Sequence, residues 1–337
     1  MLRRSSLSLL LFASCASAPE EPRQAYAGPE PAAPLVLEGS AYETAGRLEL
    51  PAVAPGNYEG LHNVFQLSDA IVSGGEPQDE AALEQLAAWG VRTILSVDGK
   101  APDAETAAAL GLRYVHVPIQ YSGITDDEVT KLAKTFRELE GPFYVHCFHG
   151  KHRGPAAAAV GRIVVDGVSR EQAMAEMRQW CSTSPKYEGL YAAVATIPMP
   201  SAARTAASDF DFEPAHTFVG LRAAMIPLPR HWDQLTAAAA RGWTLDPDHP
   251  DIVPAREAEQ VREILDACAE LPAVRTHPDD FHGWLDDARH GAGDLALALA
   301  AGTAEASPDA AWREAAASAF QQVSRSCSSC HDEYRNH

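Results

Sequence analysis

Short apolar runs alternate with helical patterns over the first half of the chain. Strands are predicted at 65–67, 70–73, 92–97, 112–117 and 142–145, and helices at 79–89, 102–110, 125–140, 155–160, 169–180 and 185–195. Strands that alternate with helices are typical of an α/β fold with a mostly parallel central sheet flanked by helices. We therefore predict one α/β domain over residues 58–198.

The pattern changes after Pro198, where a Pro- and Ala-containing stretch predicts a linker at 199–207. The rest of the chain is rich in Ala and has only helical periodicity. Helical blocks are predicted at 213–241, with a break near Pro227 and Pro229, and at 254–271, 278–302 and 308–335. Residues 208–337 are accordingly predicted to form an all-α four-helix bundle.

The start of the chain has the pattern of an export signal. A basic segment, Met1–Arg4, precedes the apolar residues 7–13, which are too few to remain as a membrane-spanning helix. Cys15 follows a segment that resembles a bacterial lipobox, which predicts a lipoprotein with signal residues 1–18; ordinary cleavage after Ala18 is the alternative. Residues 19–57 are rich in Pro and Ala and are predicted to be a disordered tether. The protein is thus expected in the periplasm or cell envelope, touching a bacterial membrane only through its lipid.

Composition narrows the set of partners. The 337 residues carry a formal charge of -19, and no basic tract follows the start. This balance argues against a nucleic-acid partner. Six cysteines are too few and too scattered for a disulfide scaffold.

One loop combines the features of a nucleophilic anion site. Cys147 follows the predicted strand 142–145, and Arg153 opens the next helix after a loop of five residues. Backbone N–H groups of such a loop, together with the helix dipole, bind an oxyanion and stabilise a thiolate. Arg153 can hold two oxygens of the anion while Cys147 attacks phosphorus in line.

The loop resembles the His-Cys-x-x-Gly-x-x-Arg loop of the cysteine-dependent protein phosphatases. Residues 73–77 and 90–97 also resemble the small dual-specificity-like phosphatases of bacteria, and the resemblance covers roughly residues 65–195. It implies hydrolysis of a phosphorylated small molecule or phosphoprotein through a phosphocysteine on Cys147. The substrate-binding residues that it implies are His146, Phe148, His149, Gly150, Lys151, His152 and Gly154.

The sequence departs from that family at two positions. Gln120 stands where the family has an Asp general acid, so Asp126 or Asp127 is proposed instead. Helix capping is the competing interpretation of both carboxylates, and the loop histidines 149 and 152 are rival proton donors. Gly154 replaces the usual Ser or Thr after the arginine, which should slow hydrolysis of the intermediate.

Two further residues near the loop have ordinary structural interpretations. Cys181 is interpreted as a buried structural thiol rather than a redox partner of Cys147. Asp98, which follows a strand, is interpreted as a turn residue rather than a residue of the site.

A second motif, Cys327-x-x-Cys330-His331, ends the chain. Residues 327, 330 and 331 of a helix share one face, which suits the covalent attachment of one haem c with His331 as iron ligand. We see no further pair of ligands for zinc, and no other metal is predicted. The four predicted helices with this ending resemble the cytochrome c-prime family, which implies either Met225 or an open position as the sixth iron site. The aromatic residues interpreted as bundle core are Phe281, Trp284, Trp312 and Phe320.

Three functions follow from the two motifs. The first is an exported phosphatase whose haem domain serves electron transfer, with a redox partner protein, or gas sensing. The second is a haem electron carrier whose phosphatase-like domain only binds phosphate. The third is a redox sensor in which the haem state changes the reactivity of Cys147.

Overall fold

The computed structural model describes residues 28–246, 252–304 and 311–335. The predicted signal residues 1–18, with Cys15, lie outside the described residues. The strands are β1 (Gly56–Tyr58), β2 (Leu61–Gln66), β3 (Ile71–Gly74), β4 (Thr93–Ser96), β5 (Arg113–His116) and β6 (Phe143–His146). The helices up to residue 206 are α1 (Ala41–Thr44), α2 (Glu80–Ala88), α3 (Ala104–Ala109), α4 (Asp126–Glu138), α5 (Arg153–Gly161), α6 (Arg170–Ala175), α7 (Glu188–Thr196) and α8 (Ala202–Ala206). Those after it are α9 (Gly220–Met225), α10 (Leu228–Ala240), α11 (Pro254–Ala269), α12 (Asp279–Ala304) and α13 (Ala311–Tyr334).

The six strands form one sheet in the order β1-β2-β3-β6-β4-β5. The pairs β3–β6, β6–β4 and β4–β5 are parallel, whereas β1–β2 and β2–β3 are antiparallel. The α/β class is confirmed, but the sheet is mixed rather than mostly parallel. The difference arises at the edge, because β1 to β3 are joined by tight turns, which only antiparallel strands allow.

Local chemistry explains where the helices begin. The Asp79 carboxylate caps α2, and Thr125 with Glu128 forms a capping box at the start of α4. Gly90 and Gly111 follow α2 and α3 with positive φ, the usual way for a helix to end.

The centre of the sheet carries the core. Every residue of β6 is buried between β3 and β4, and every residue of α5 is buried as well. Because α5 is built largely of alanine, its backbone packs closely on the sheet. This arrangement fixes the loop between β6 and α5 at the carboxyl end of a central strand, the edge at which such sheets bind ligands.

Residues 28–57 do not form the free tether that composition predicts. Leu35 N–H donates to the carbonyl of Ala195, and Trp180 Nε1 donates to the carbonyl of Pro51. The carboxylate of Glu188 accepts the N–H groups that open α1. Residues 28–57 are therefore ordered by contacts with α7 and its neighbours, although their own sequence shows no periodicity.

The predicted linker is also structured. Helix α8 lies within it and packs on α4, where Lys134 Nζ donates to the carbonyl of Thr205. Residues 208–218 then follow the edge of the sheet, because His116 N–H donates to the carbonyl of Glu213. The helical part consequently begins near Gly220 rather than at residue 208.

Helices α10 to α13 each pack on the next along the chain and share one apolar cluster. Phe281 is buried in this cluster, and Trp312 and Phe320 pack against it. Met225 ends α9 just before the predicted break at Pro227. Within the described residues, no helix combines the length and the apolar character needed to cross a membrane.

Candidate active site

Cys147 follows the last residue of β6, and only 3% of its surface is exposed. The loop runs to His152, and Arg153 is the first residue of α5. The structure thus brings Cys147 and Arg153 together across one short loop, with the helix N-terminus directed at it.

Two glycines allow the loop its shape. Gly150 has φ +70°, and a Cβ on it would lie 2.3 Å from the carbonyl carbon of Gly74. No other residue fits there without moving β3. A Cβ on Gly154 would lie 3.1 Å from the Cys147 nitrogen, so glycine lets α5 begin close to the cysteine.

Arg153 is held by the carboxylate of Asp98, which therefore belongs to the site and is more than the turn residue that its sequence position predicts. Arg153 Nη2 lies 2.5 Å from Asp98 Oδ2, and the N–H of Phe148 donates to the same oxygen at 2.9 Å. Burial raises the pKa of Asp98, but the Arg153 charge and the backbone N–H groups of Lys100 and Phe148 outweigh it and lower the pKa below its usual value. The position of Asp98, directly after a strand that pairs with β6, was the available signal.

Tyr121 links this ion pair to the end of the chain. The guanidinium of Arg153 lies 4.3 Å from the centre of the Tyr121 ring, and that of Arg335 lies 4.1 Å from it. Lys186 and Asp332 form a further ion pair at 2.8 Å. The end of α13 therefore lies beside the loop that holds Cys147.

His146 is placed differently from the binding role that the family resemblance implies. Its ring is buried within β6, and its Nε2 lies 2.9 Å from the hydroxyl of Tyr114 on β5. Burial lowers the pKa of His146 to about 3, so the ring is neutral. The His146 side chain is thus enclosed within the sheet, in contact with Tyr114.

The two loop histidines have partners of their own. His149 Nε2 lies 2.7 Å from Asp233 Oδ2 on α10. His152 packs against Tyr187 with ring centres 4.6 Å apart and ring planes tilted by 51°. Burial and the nearby His149 and Lys151 lower the pKa of His152 to about 4, which makes it a poor proton donor near neutrality. Lys151 is exposed, and its carbonyl accepts from the hydroxyl of Thr183.

Asp126 and Asp127 lie at the first turn of α4 and are exposed. Asp127 pairs with Lys131 at 2.8 Å, and Glu128 completes the capping box. Gln120 is exposed and bridges to Gly123. These contacts are those of helix capping and a local turn. Cys181 is buried, and burial raises its pKa far above the usual value, as expected for a structural thiol.

The second motif lies on α13. Cys327 and Cys330 are free, half-buried thiols that pack against the apolar cluster of the helical part, as does Met225. Burial raises the pKa of both thiols to about 11. Free thiols next to apolar side chains, with the exposed His331 on the same helical face, are the donor set that a covalently attached haem requires.

Comparisons with known proteins find relatives for part of the chain. No family model matches. The dual specificity protein phosphatase TpbA of two Pseudomonas aeruginosa strains is 31% and 30% identical over 121 and 120 residues, which are 35% and 34% of this chain. The chain spans about half the length of these curated relatives, 54% and 53%.

Two solved structures of TpbA also match part of the chain. A crystal structure of P. aeruginosa TpbA is 26% identical with a TM-score of 0.37, and covers 43% of this chain and 89% of its own. A cysteine-to-serine variant of TpbA in complex with phosphotyrosine is 24% identical with a TM-score of 0.36, and covers 46% of this chain and 94% of its own. About a third of the chain is similar in sequence to a dual specificity protein phosphatase.

Proposed function

We propose that the chain hydrolyses phosphomonoesters through a phosphocysteine on Cys147. The observation that carries this proposal is the buried cysteine at the end of β6, with a glycine-dependent loop and Arg153 at the start of α5. The similarity to a dual specificity protein phosphatase supports the same reaction.

In this reaction the Cys147 thiolate attacks phosphorus, and the bond from phosphorus to the ester oxygen breaks. The leaving oxygen takes a proton from a general acid, while the loop N–H groups and Arg153 stabilise the charge on the transferring group. Water then attacks the phosphocysteine, which releases phosphate and restores the thiolate. Gly154 offers no hydroxyl for this second step, so the intermediate should break down slowly.

The general acid is proposed to be Asp126 or Asp127, as the sequence predicts. Asp127 lines a cleft with His116 and Arg222, and His116 in turn contacts the carbonyl of Asp98 beside Arg153. The substrate is proposed to be a phosphorylated small molecule or phosphoprotein, and phosphotyrosine is a suitable first probe.

The phosphatase experiment uses the full chain. Wild-type protein should hydrolyse an aryl phosphate, Cys147→Ser should lose turnover but still bind inorganic phosphate, and Arg153→Ala should lose both. Retention of wild-type turnover by Cys147→Ser would show that the nucleophile is another group.

For the helical part, we propose a cytochrome c-prime-like four-helix domain with one covalent haem c. Cys327 and Cys330 would hold the haem, and His331 would ligate the iron, with Met225 or an open position on the other side. The bound group supplies electron transfer or gas binding. The residues of the chain provide the apolar surroundings of α10 to α13.

Export is part of the same proposal, because haem of this type is attached outside the cytoplasm. Lipidation at Cys15 would hold the protein at the cell envelope, where it could meet a redox partner protein. Full-length chain made with a haem-attachment system should stay red after denaturation, whereas chain lacking residues 1–18 should be colourless. Colourless full-length protein under those conditions would contradict the cytochrome proposal.

A haem protein whose phosphatase-like domain only binds phosphate is the second candidate. Gln120 in place of the usual acid and Gly154 in place of a hydroxyl favour it. The two candidates differ in one result, since only an enzyme turns over an aryl phosphate.

A further inference from the structure

The Asp98 carboxylate accepts hydrogen bonds from donors that would also bind an oxyanion in this loop. Its Oδ2 accepts from the N–H of Phe148 at 2.9 Å and from Arg153 Nη2 at 2.5 Å, while its Oδ1 accepts from the N–H of Lys100. The side chain is 15% exposed. An anion that binds the same loop N–H and the same guanidinium would therefore bring an oxygen next to the Asp98 carboxylate.

The backbone of Asp98 is held in place. The N–H of His216 donates to His116 Nδ1 at 2.8 Å, which leaves the ring proton of His116 on Nε2. That Nε2 then donates to the carbonyl of Asp98 at 2.9 Å. The carbonyl and the carboxylate of Asp98 are therefore both engaged, which fixes this residue beside Arg153.

A buried carboxylate distinguishes oxyanions by their protons. Ionised Asp98 can only accept hydrogen bonds, so an oxygen without a proton repels it, whereas a protonated oxygen donates to it. A phosphoryl group has a second pKa of about 6 and carries such a proton part of the time near neutrality. Sulfate and sulfate esters carry none.

We propose that Asp98 makes this site selective for phosphoryl over sulfuryl groups by accepting a hydrogen bond from a protonated phosphoryl oxygen. The inference rests on the proposed function in that it takes the Cys147–Arg153 loop as the oxyanion site. Asp98 is then a specificity-determining residue that contacts the substrate directly.

Other charged and titratable groups surround Asp98, and the test must separate them from it. They are Arg153 on α5, His116 on β5, His146 on β6, Lys100 on the same loop, Tyr121 after β5, and Arg222 on α9. Each of them acts on a bound anion through its own charge, and that charge is the same in the Cys147→Ser protein and in its Asp98→Asn variant at any one pH. The change in the ratio of the two affinities between these two proteins, measured at one pH, therefore reports Asp98 rather than the other charged groups.

The experiment measures binding of inorganic phosphate and of sulfate to the full-chain Cys147→Ser protein by calorimetry at pH 6, 7 and 8. At pH 6, phosphate should bind about 10-fold or more tightly than sulfate, which is the factor expected for a hydrogen bond to a charged group. Adding Asp98→Asn should strengthen sulfate binding and bring the ratio close to one. Glu76→Gln is the matched control: Glu76 has the same charge and a 14% exposed side chain that pairs with Lys100, and its removal should leave the ratio unchanged.

Equal affinity of the Cys147→Ser protein for phosphate and sulfate would overturn the inference. An equal change of the affinity ratio in the Asp98→Asn and Glu76→Gln variants would overturn it as well. If Asp98→Asn does not fold, the pH series decides: the ratio should fall from pH 6 to pH 8 as phosphate loses its proton, and a constant ratio contradicts the role of Asp98. If the Cys147→Ser protein binds phosphate more tightly than sulfate but the wild-type protein hydrolyses no phosphate ester, the proposed function fails and this inference stands. If the wild-type protein hydrolyses a phosphate ester but the Cys147→Ser protein binds phosphate and sulfate equally, the inference fails and the proposed function stands.

Discussion

Asp126 and Asp127 occupy the first turn of α4, where carboxylates stabilise a helix whether or not they take part in catalysis. If one of them is the general acid, its change to Asn should slow hydrolysis of an alkyl phosphate by ~10²-fold or more. An aryl phosphate with a good leaving group should be less affected, because its leaving oxygen needs less help from a proton. Steady-state rates on the two substrates make the comparison.

The same two substrates also show whether Asp126 and Asp127 serve only as helix caps. If neither variant shows any dependence on the leaving group, both residues are helix caps alone. His149 is then the next proton donor to change, since the pKa of His152 is lowered to about 4.

Single residues also mark the limit of prediction from sequence. Cys147, Gly150 and Arg153 were found from their spacing, because the loop imposes that spacing on any sequence that forms it. Asp98 was interpreted as a turn residue, since its role depends on β4 lying beside β6, and strand order is not visible in the local sequence.

At the scale of elements, the loop between β6 and α5 depends on a glycine that backbone atoms enclose. Gly150 and Gly90 both have positive φ, but only Gly150 has no room for a Cβ. Gly90→Ala should lower the free energy of unfolding by about 1 kcal/mol, the cost of the left-handed conformation alone. Gly150→Ala should cost more and should also remove oxyanion binding.

Chemical denaturation and phosphate binding of the two glycine variants test this prediction. Similar stability of both, with phosphate binding retained in Gly150→Ala, would mean that β3 yields easily and that the loop is not confined by it.

The elements were predicted well where their signals are local. The apolar run before Cys147 and the capping box at Thr125 and Glu128 gave β6 and the start of α4. The order of residues 28–57 was missed because it depends on distant partners such as Glu188, and the extension of the sheet edge by Glu213 was missed for the same reason.

At the scale of the whole molecule, the end of α13 lies against the candidate active site. Arg335 lies 4.1 Å from the centre of the Tyr121 ring, whose other guanidinium partner is Arg153. Arg335→Ala should raise the KM for an aryl phosphate about fivefold, the effect of losing about 1 kcal/mol of cation–π contact and nearby positive charge. The exposed Arg325 on the same helix is the control, and Arg325→Ala should leave KM unchanged.

The kcat of Arg335→Ala should stay near the wild-type value, because Arg335 contacts no reacting atom. An equal change in KM for the two arginine variants would mean that the end of α13 acts through overall charge alone rather than through Tyr121.

The central claim is that Cys147 carries the phosphoryl group during turnover, and trapping that group tests it most directly. Full-length protein is mixed with an aryl phosphate that contains radioactive phosphorus, quenched in acid within one turnover, and digested. Because Gly154 supplies no hydroxyl to speed breakdown of the intermediate, the label should accumulate on the peptide that contains Cys147 and should be absent from Cys147→Ser. Label on a different residue, or turnover that continues in Cys147→Ser, would contradict the account.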